Sequence, residues 1–201
     1  MKVHEKANII QTQIDQFDKL PIEFYLRKPE IVARDLIGKL LVRVTDEHIY
    51  TGMISETEAY LAEGDLASHS AVGLTKRNSA MFETGGILYV YQIYGMHYCA
   101  NAVTEQSGQG SAVLLRAVQP LIGIEQMKIN RNKITTNQLA DGPAKLCQAF
   151  QIGIADNRKS LLGDEIFIAK YHDFPDENIE TTPRIGITKS ADLKLRFVLK
   201  K

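Results

Sequence analysis

Glu56 and Glu58 stand either side of Thr57 in the run ETEAY, with Tyr60 two residues beyond. The flanking residues read as a strand, and strand side chains alternate, so all three share one face. Two carboxylates so placed can activate a water or move a proton. By strand rise they lie roughly 7 Å apart, which also suits the carboxylate pair of an inverting glycoside hydrolase. The plain alternative is a solvated polar edge.

Other residues bear on the choice. The run YVYQIYGMHY carries four tyrosines in ten residues. Tyr89 and Tyr98 read as ordinary strand aromatics. Tyr94 and Met96 fall at a hairpin tip with no core of their own to cover, and bulky tips of that kind enter the minor groove and prise base steps apart. His69, in LASHS, reads on spacing alone as a surface or hydrogen-bonded structural histidine. Lys76, Arg77 and Asn78 sit between turn residues, as a solvated loop or a phosphate cradle. Arg116 lies inside the apolar run VLLRAV, where an arginine needs an acidic partner, and Glu58 is the obvious candidate.

Elements must position these groups. PEIVARDLIGKLLVRV predicts a helix from about Glu30 to Ile37, closed by Gly38, then a strand. IYTGMISETEAYL predicts a second strand, reached through Asp46-Glu47 and paired with the first. Residues 62–81 show no sustained period and read as a long ordered loop with one helical turn. ILYVYQIY and HYCANAVT form a hairpin about Gly95-Met96. SAVLLRAVQP is a strand ended by Pro120, followed by a helix from about Leu121 to Arg131 and a polar stretch to Asn137. GPAKLCQAFQI starts a helix at Pro143. Three strands are expected around EIFIAK, PRIGIT and LKLRFVL. The reading is α+β (mixed α/β), one domain, with mainly antiparallel strands and helices on one side.

Bulk properties narrow the partners. The 201 residues are 44% hydrophobic, enough for one core. Basic and acidic residues balance at 24 each, so any nucleic acid must meet a local patch. Residues 184–201 hold Arg184, Lys189, Lys194, Arg196, Lys200 and Lys201 against Asp192; with Lys76, Arg77 and Lys145 they offer a phosphate-facing side, or else merely a basic tail. No apolar run reaches the roughly 18 residues of a membrane span, and the charged N-terminus lacks a signal h-region. The expectation is an intracellular protein, in the cytoplasm or nucleoid of a bacterium or the nucleus of a eukaryote. Cys99 and Cys147 show no metal or redox spacing and read as buried thiols.

The runs ETEAYLAEGDLASHS, TKRNSAMFETGGILYVYQIYGMHYCANAVT, AVLLRAVQP and DGPAKLCQAF, in that order, resemble the alkyladenine (3-methyladenine) DNA glycosylase family. IVARDLIGKLLVR and PRIGI fit as well, so the resemblance covers roughly residues 24–190. It implies a curved sheet with a protruding hairpin and surrounding helices in a glycosylase domain at 23–201, after a variable extension at 1–22. It implies a monomeric, monofunctional enzyme of base excision repair acting on damaged purines in double-stranded DNA, with no cofactor and no metal. By resemblance Glu58 deprotonates the attacking water, and Arg116 holds that water with backbone near Ile187. Tyr60 stacks on one face of a flipped base, with His69 and Tyr91 on the other. Asn101 lines the pocket wall, and Tyr94 fills the gap left in the duplex. Glu56 inherits no catalytic part. The family's PWRF run departs here to LKLRF. The other readings are a glycoside hydrolase, which leaves the tyrosine wedge unexplained, and a non-catalytic module that binds damaged nucleic acid. A zinc deaminase lacks its paired cysteines.

Overall fold

The computed structural model describes residues 12, 14–133, 135, 136 and 138–200. Helices α1 (Ile22–Tyr25) and α2 (Pro29–Asp35) lead into strands β1 (Leu40–Val44) and β2 (Ile49–Tyr60). After a long loop come β3 (Leu88–Ile93), β4 (His97–Thr104) and β5 (Ser111–Ile122). Then follow α3 (Ile124–Arg131), α4 (Pro143–Ala149), β6 (Ile166–Ala169), β7 (Ile179–Thr182) and β8 (Arg196–Leu199). The strands form one curved, antiparallel sheet ordered β3-β4-β5-β2-β1-β6.

Strand β2 is the spine. Along one edge it pairs with β5; along the other, its first half pairs with β1 and residues Glu56 to Glu58 pair with β8. The site residues of ETEAY therefore lie in the interior of the sheet. The register with β5 breaks beside Glu56, where Ser55 and Arg116 drop out of the pairing. Such an irregularity re-aims a side chain, here the arginine's.

Alternation sorts the two faces. Ala59, Val90, Ala102 and Val113 pack with Val32, Ala33, Leu36, Leu146, Cys147 and Phe150 of α2 and α4 in the main core. Their neighbours Tyr89, Val103 and Ala112 point the other way, into a smaller cluster with Ala80 and Met81 of the long loop. Helices cover one face and that loop covers the other. Gly110 makes the covering tight: its φ is +77°, and a Cβ there would meet Phe82 at 2.7 Å and Ser70 at 2.9 Å.

Several elements differ from the sequence reading; helix α2 runs Pro29–Asp35 with Leu36 as its C-cap, short of Ile37. Strand β5 passes through Pro120 to Ile122, because the proline falls where the β2 register shifts and Thr51 Oγ1 accepts the Ile122 N–H instead. Helix α3 accordingly starts at Ile124, after Gly123 at φ +80°. The run PRIGIT is not a strand; β7 lies before it and stops at Pro183. The long loop holds two 3-10 turns, His69–Val72 and Ser79–Phe82, rather than one.

Within the expected extension, residues 1–11 and 13 lie outside the described residues, as do 134, 137 and Lys201. Its remainder packs: Ile14 joins Leu40, Val42, Phe167 and Ala169, and Phe17 meets Phe167 edge-on at 5.8 Å. Among the described residues no helix is long and apolar enough to cross a membrane, and no three His, Cys, Asp or Glu side chains gather as a metal site. Both cysteines are buried and free.

Candidate active site

Glu58 is fully buried on β2. Its Oε1 accepts the Ile185 backbone N–H at 2.9 Å, and its Oε2 accepts the Tyr60 hydroxyl at 2.9 Å. Arg116 Nη1 lies 3.3 Å from Oε1. Burial first, and the neighbouring carboxylate second, push the Tyr60 phenol well above its ordinary range, so it stays a donor. Arg116 makes its shorter contact with Glu56, Nε to Oε1 at 2.7 Å, and Arg196 Nε reaches the same oxygen at 2.6 Å. Glu56, Glu58 and Tyr60 do share a face, as alternation requires. The backbone partner of Glu58 is Ile185, two residues before Ile187.

Beside this carboxylate lies a cleft lined by Tyr60, His69, Met81, Tyr89, Tyr91 and Asn101, with a volume of about 20 Å³. His69 opens a 3-10 turn capped by Ser68. Its Nδ1 pairs with the Tyr89 hydroxyl at 2.9 Å, and its ring meets Tyr91 edge-on at 4.5 Å. Burial, then the Arg77 charge, lower its pKa, which keeps the imidazole neutral at pH 7. Tyr89 is pushed up to about 12 and Tyr91 further still, both chiefly by burial. Asn101 is buried and donates to the Tyr89 carbonyl at 3.0 Å.

Tyr94 and Met96 stand 89% and 71% exposed at the hairpin tip. The turn closes with the Met96 N–H on the Ile93 carbonyl at 3.3 Å, and φ is +50° at Tyr94 and +69° at Gly95. Positive φ at both central positions is the type I′ pattern, usually Asn-Gly. A bulky tyrosine there is strained, and strain of that kind gathers at functional positions.

The other sequence candidates divide. Lys76 and Arg77 are exposed, with Arg77 Nη2 on the Gln92 carbonyl at 3.3 Å. Lys145 is half-exposed beside Asp141 at 2.8 Å. Asn78 is buried instead, its amide nitrogen donating to the His69 and Gly73 carbonyls at 2.8 Å each, so it braces the loop that carries His69. Arg184 and Arg196 do not face solvent as a phosphate surface; they are engaged with Asp65 and Glu56.

Sequence reasoning passed over Asp65 and read Arg184 and Tyr89 in other parts than the ones they play beside the site. Arg184 and Asp65 form a fully buried bidentate pair at 2.6 and 2.7 Å, and the guanidinium carbon lies 4.6 Å from the Tyr60 ring centre. Tyr89, taken as a strand aromatic, is the partner of His69. Contacts between residues 119 apart leave no local signal; an acid amid the small residues of EGDLAS was the one hint.

The whole arrangement is a buried, hydrogen-bonded carboxylate beside an aromatic cleft, with two exposed bulky side chains at the tip of the adjoining hairpin. The family model described as methylpurine-DNA glycosylase matches residues 23–201. A relative from Chlorobium phaeobacteroides, named "Putative 3-methyladenine DNA glycosylase", is 46% identical over 89% of this chain and 90% of its own. One of the same name from Methanoculleus marisnigri is 47% identical over 90% of this chain and 95% of its own.

Proposed function

The chain belongs to the methylpurine-DNA glycosylase family, whose members hydrolyse N-glycosyl bonds, and from that premise we propose a monofunctional enzyme that flips damaged purines out of duplex DNA and releases them, leaving an abasic site. The substrates are alkylated or deaminated purines of the 3-methyladenine, 7-methylguanine, hypoxanthine and ethenoadenine class. The observation that carries this reading is the buried Glu58 carboxylate, hydrogen-bonded through Tyr60 to the wall of an aromatic cleft.

A stacked base hides its sugar carbon from any enzyme-bound water, so the nucleotide must leave the helix at a cost of a few kcal/mol. Tyr94 takes the vacated place in the stack. The base enters between Tyr60 and the His69–Tyr91 pair, where stacking contributes about 1–3 kcal/mol per base. A cleft of about 20 Å³ holds one water, not a purine, so these rings part on entry. Glu58 takes a proton from water; the water oxygen bonds the anomeric carbon, and the glycosidic electron pair leaves with the base. A cationic alkylated purine departs neutral, whereas a neutral lesion needs a proton on its ring. With Ile185 on Oε1, Arg116 Nη1 3.3 Å from that same oxygen and only Tyr60 on Oε2, it is Oε2 that keeps a lone pair for the water.

The test uses duplexes bearing hypoxanthine, ethenoadenine or methylated purines, incubated with wild type or Glu58→Gln and then treated with hot alkali. Wild type should yield strand breaks only after alkali. Glu58→Gln should lose about a hundredfold or more in rate, the scale of general-base catalysis, while retaining lesion binding. Lesion binding by wild type with no base released from any substrate would instead mark a damage-binding module.

A further inference from the structure

Glu56 and the C-terminal strand hold the arginine of the site in place. Arg116 falls out of the strand register, so its backbone alone does not fix its long side chain. What fixes it is Glu56, whose Oε1 accepts both Arg116 Nε and Arg196 Nε. Arg196 is steadied in turn by Thr182 Oγ1 at 3.0 Å from Nη1. Glu56, Arg116 and Arg196 are only 14%, 14% and 19% exposed, and with Glu58 they make two negative and two positive charges in one cluster. A guanidinium is a rigid fork, so pinning its Nε edge also sets where Nη1 points.

We propose that Glu56, anchored by Arg196 of β8, is a positioning residue. It draws Arg116 to itself and leaves Nη1 directed at the water beside Glu58, instead of letting the arginine close into a full pair with the base. The proposal rests on hydrolysis at Glu58. It gives a function to the glutamate that the family resemblance leaves without one, and to a strand remote in sequence. Without the Glu56 charge, the nearest carboxylate for Arg116 is Glu58, already 3.3 Å away. A guanidinium closing on it would occupy the lone pairs the water needs. Glu56, Arg116 and Arg196 do not line the cleft that stacks the base, so lesion binding stays as it is.

The experiment is single-turnover excision and lesion-duplex affinity for wild type, Glu56→Gln, Arg116→Met and the double variant, with Glu58→Gln as reference. Glu56→Gln should slow the excision step about ten- to a hundredfold, the scale of a misplaced catalytic group, with Kd unchanged within about twofold. Because one residue acts through the other, the double variant should be no slower than the slower single. Arg196→Gln, on the short strand β8, should reproduce part of the rate loss at constant Kd, and it carries the test alone if Glu56→Gln fails to fold. A full rate in Glu56→Gln beside a dead Glu58→Gln overturns this proposal and spares the glycosylase reading. So do losses that multiply in the double variant, or a loss confined to Kd. A wild type that releases no base overturns both.

Discussion

At the scale of single residues, the cleft is a set of protonation states held by burial. His69 is the informative one, because its folded pKa lies below the ordinary 6.5. The unfolded chain therefore takes the proton first as pH falls, and stability is lost from about pH 6.5 downward toward the folded value. We expect His69→Asn to flatten the acid side of a plot of Tm against pH, the two curves changing their separation only below about pH 6.5 and running parallel above it. Curves parallel on the acid side as well would show that some other group carries the acid sensitivity. Tyr89→Phe tests the partner. It removes the hydroxyl on Nδ1 at 2.9 Å and lets the imidazole turn, so excision should fall about tenfold with little change in melting.

At the scale of elements, the hairpin and the loop closure put opposite demands on stability. Tyr94 occupies a left-handed position that Asn fills more readily, and at 89% exposure it gives the fold nothing in return. Tyr94→Asn should raise stability by up to about 1 kcal/mol while excision from duplex DNA falls; excision from a single-stranded lesion should suffer less. Denaturant melts beside duplex and single-strand rates decide it, and a destabilised variant would mean the tip packs on something. The Asp65–Arg184 pair is the reverse case. It ties the loop after β2 to the segment after β7, so Arg184→Met strands a buried carboxylate at a cost of about 3–5 kcal/mol. Asp65→Leu together with Arg184→Met should recover most of that, because the unpaired charge is then gone.

At the scale of the whole molecule, what the sequence makes legible follows the range of the interactions. Glu58 beside Tyr60, the tip at Tyr94 and the helix at Pro143 are local patterns of alternation, turn chemistry and capping, and each is where its pattern puts it. Arg184 on Asp65, Ile185 on Glu58 and Arg196 on Glu56 join residues 119, 127 and 140 apart, and no local period encodes them. The strand expected at PRIGIT fails for the same reason: its backbone N–H and arginine serve the site rather than a neighbouring strand. This bears directly on charge. With Arg184 and Arg196 turned inward, the exposed cations that remain of the expected phosphate-facing set include Lys76, Arg77, Lys189 and Lys194, while Lys145 is already shared with Asp141. Each neutralised phosphate contributes about −0.9 to the slope of log affinity against log salt. Four or five contacts therefore predict a slope near −4, shallow for a DNA-binding enzyme and in keeping with a neutral chain. A titration of duplex affinity between low and moderate salt measures it. A slope steeper than about −7 would require cations beyond these, Lys200 first among the exposed ones.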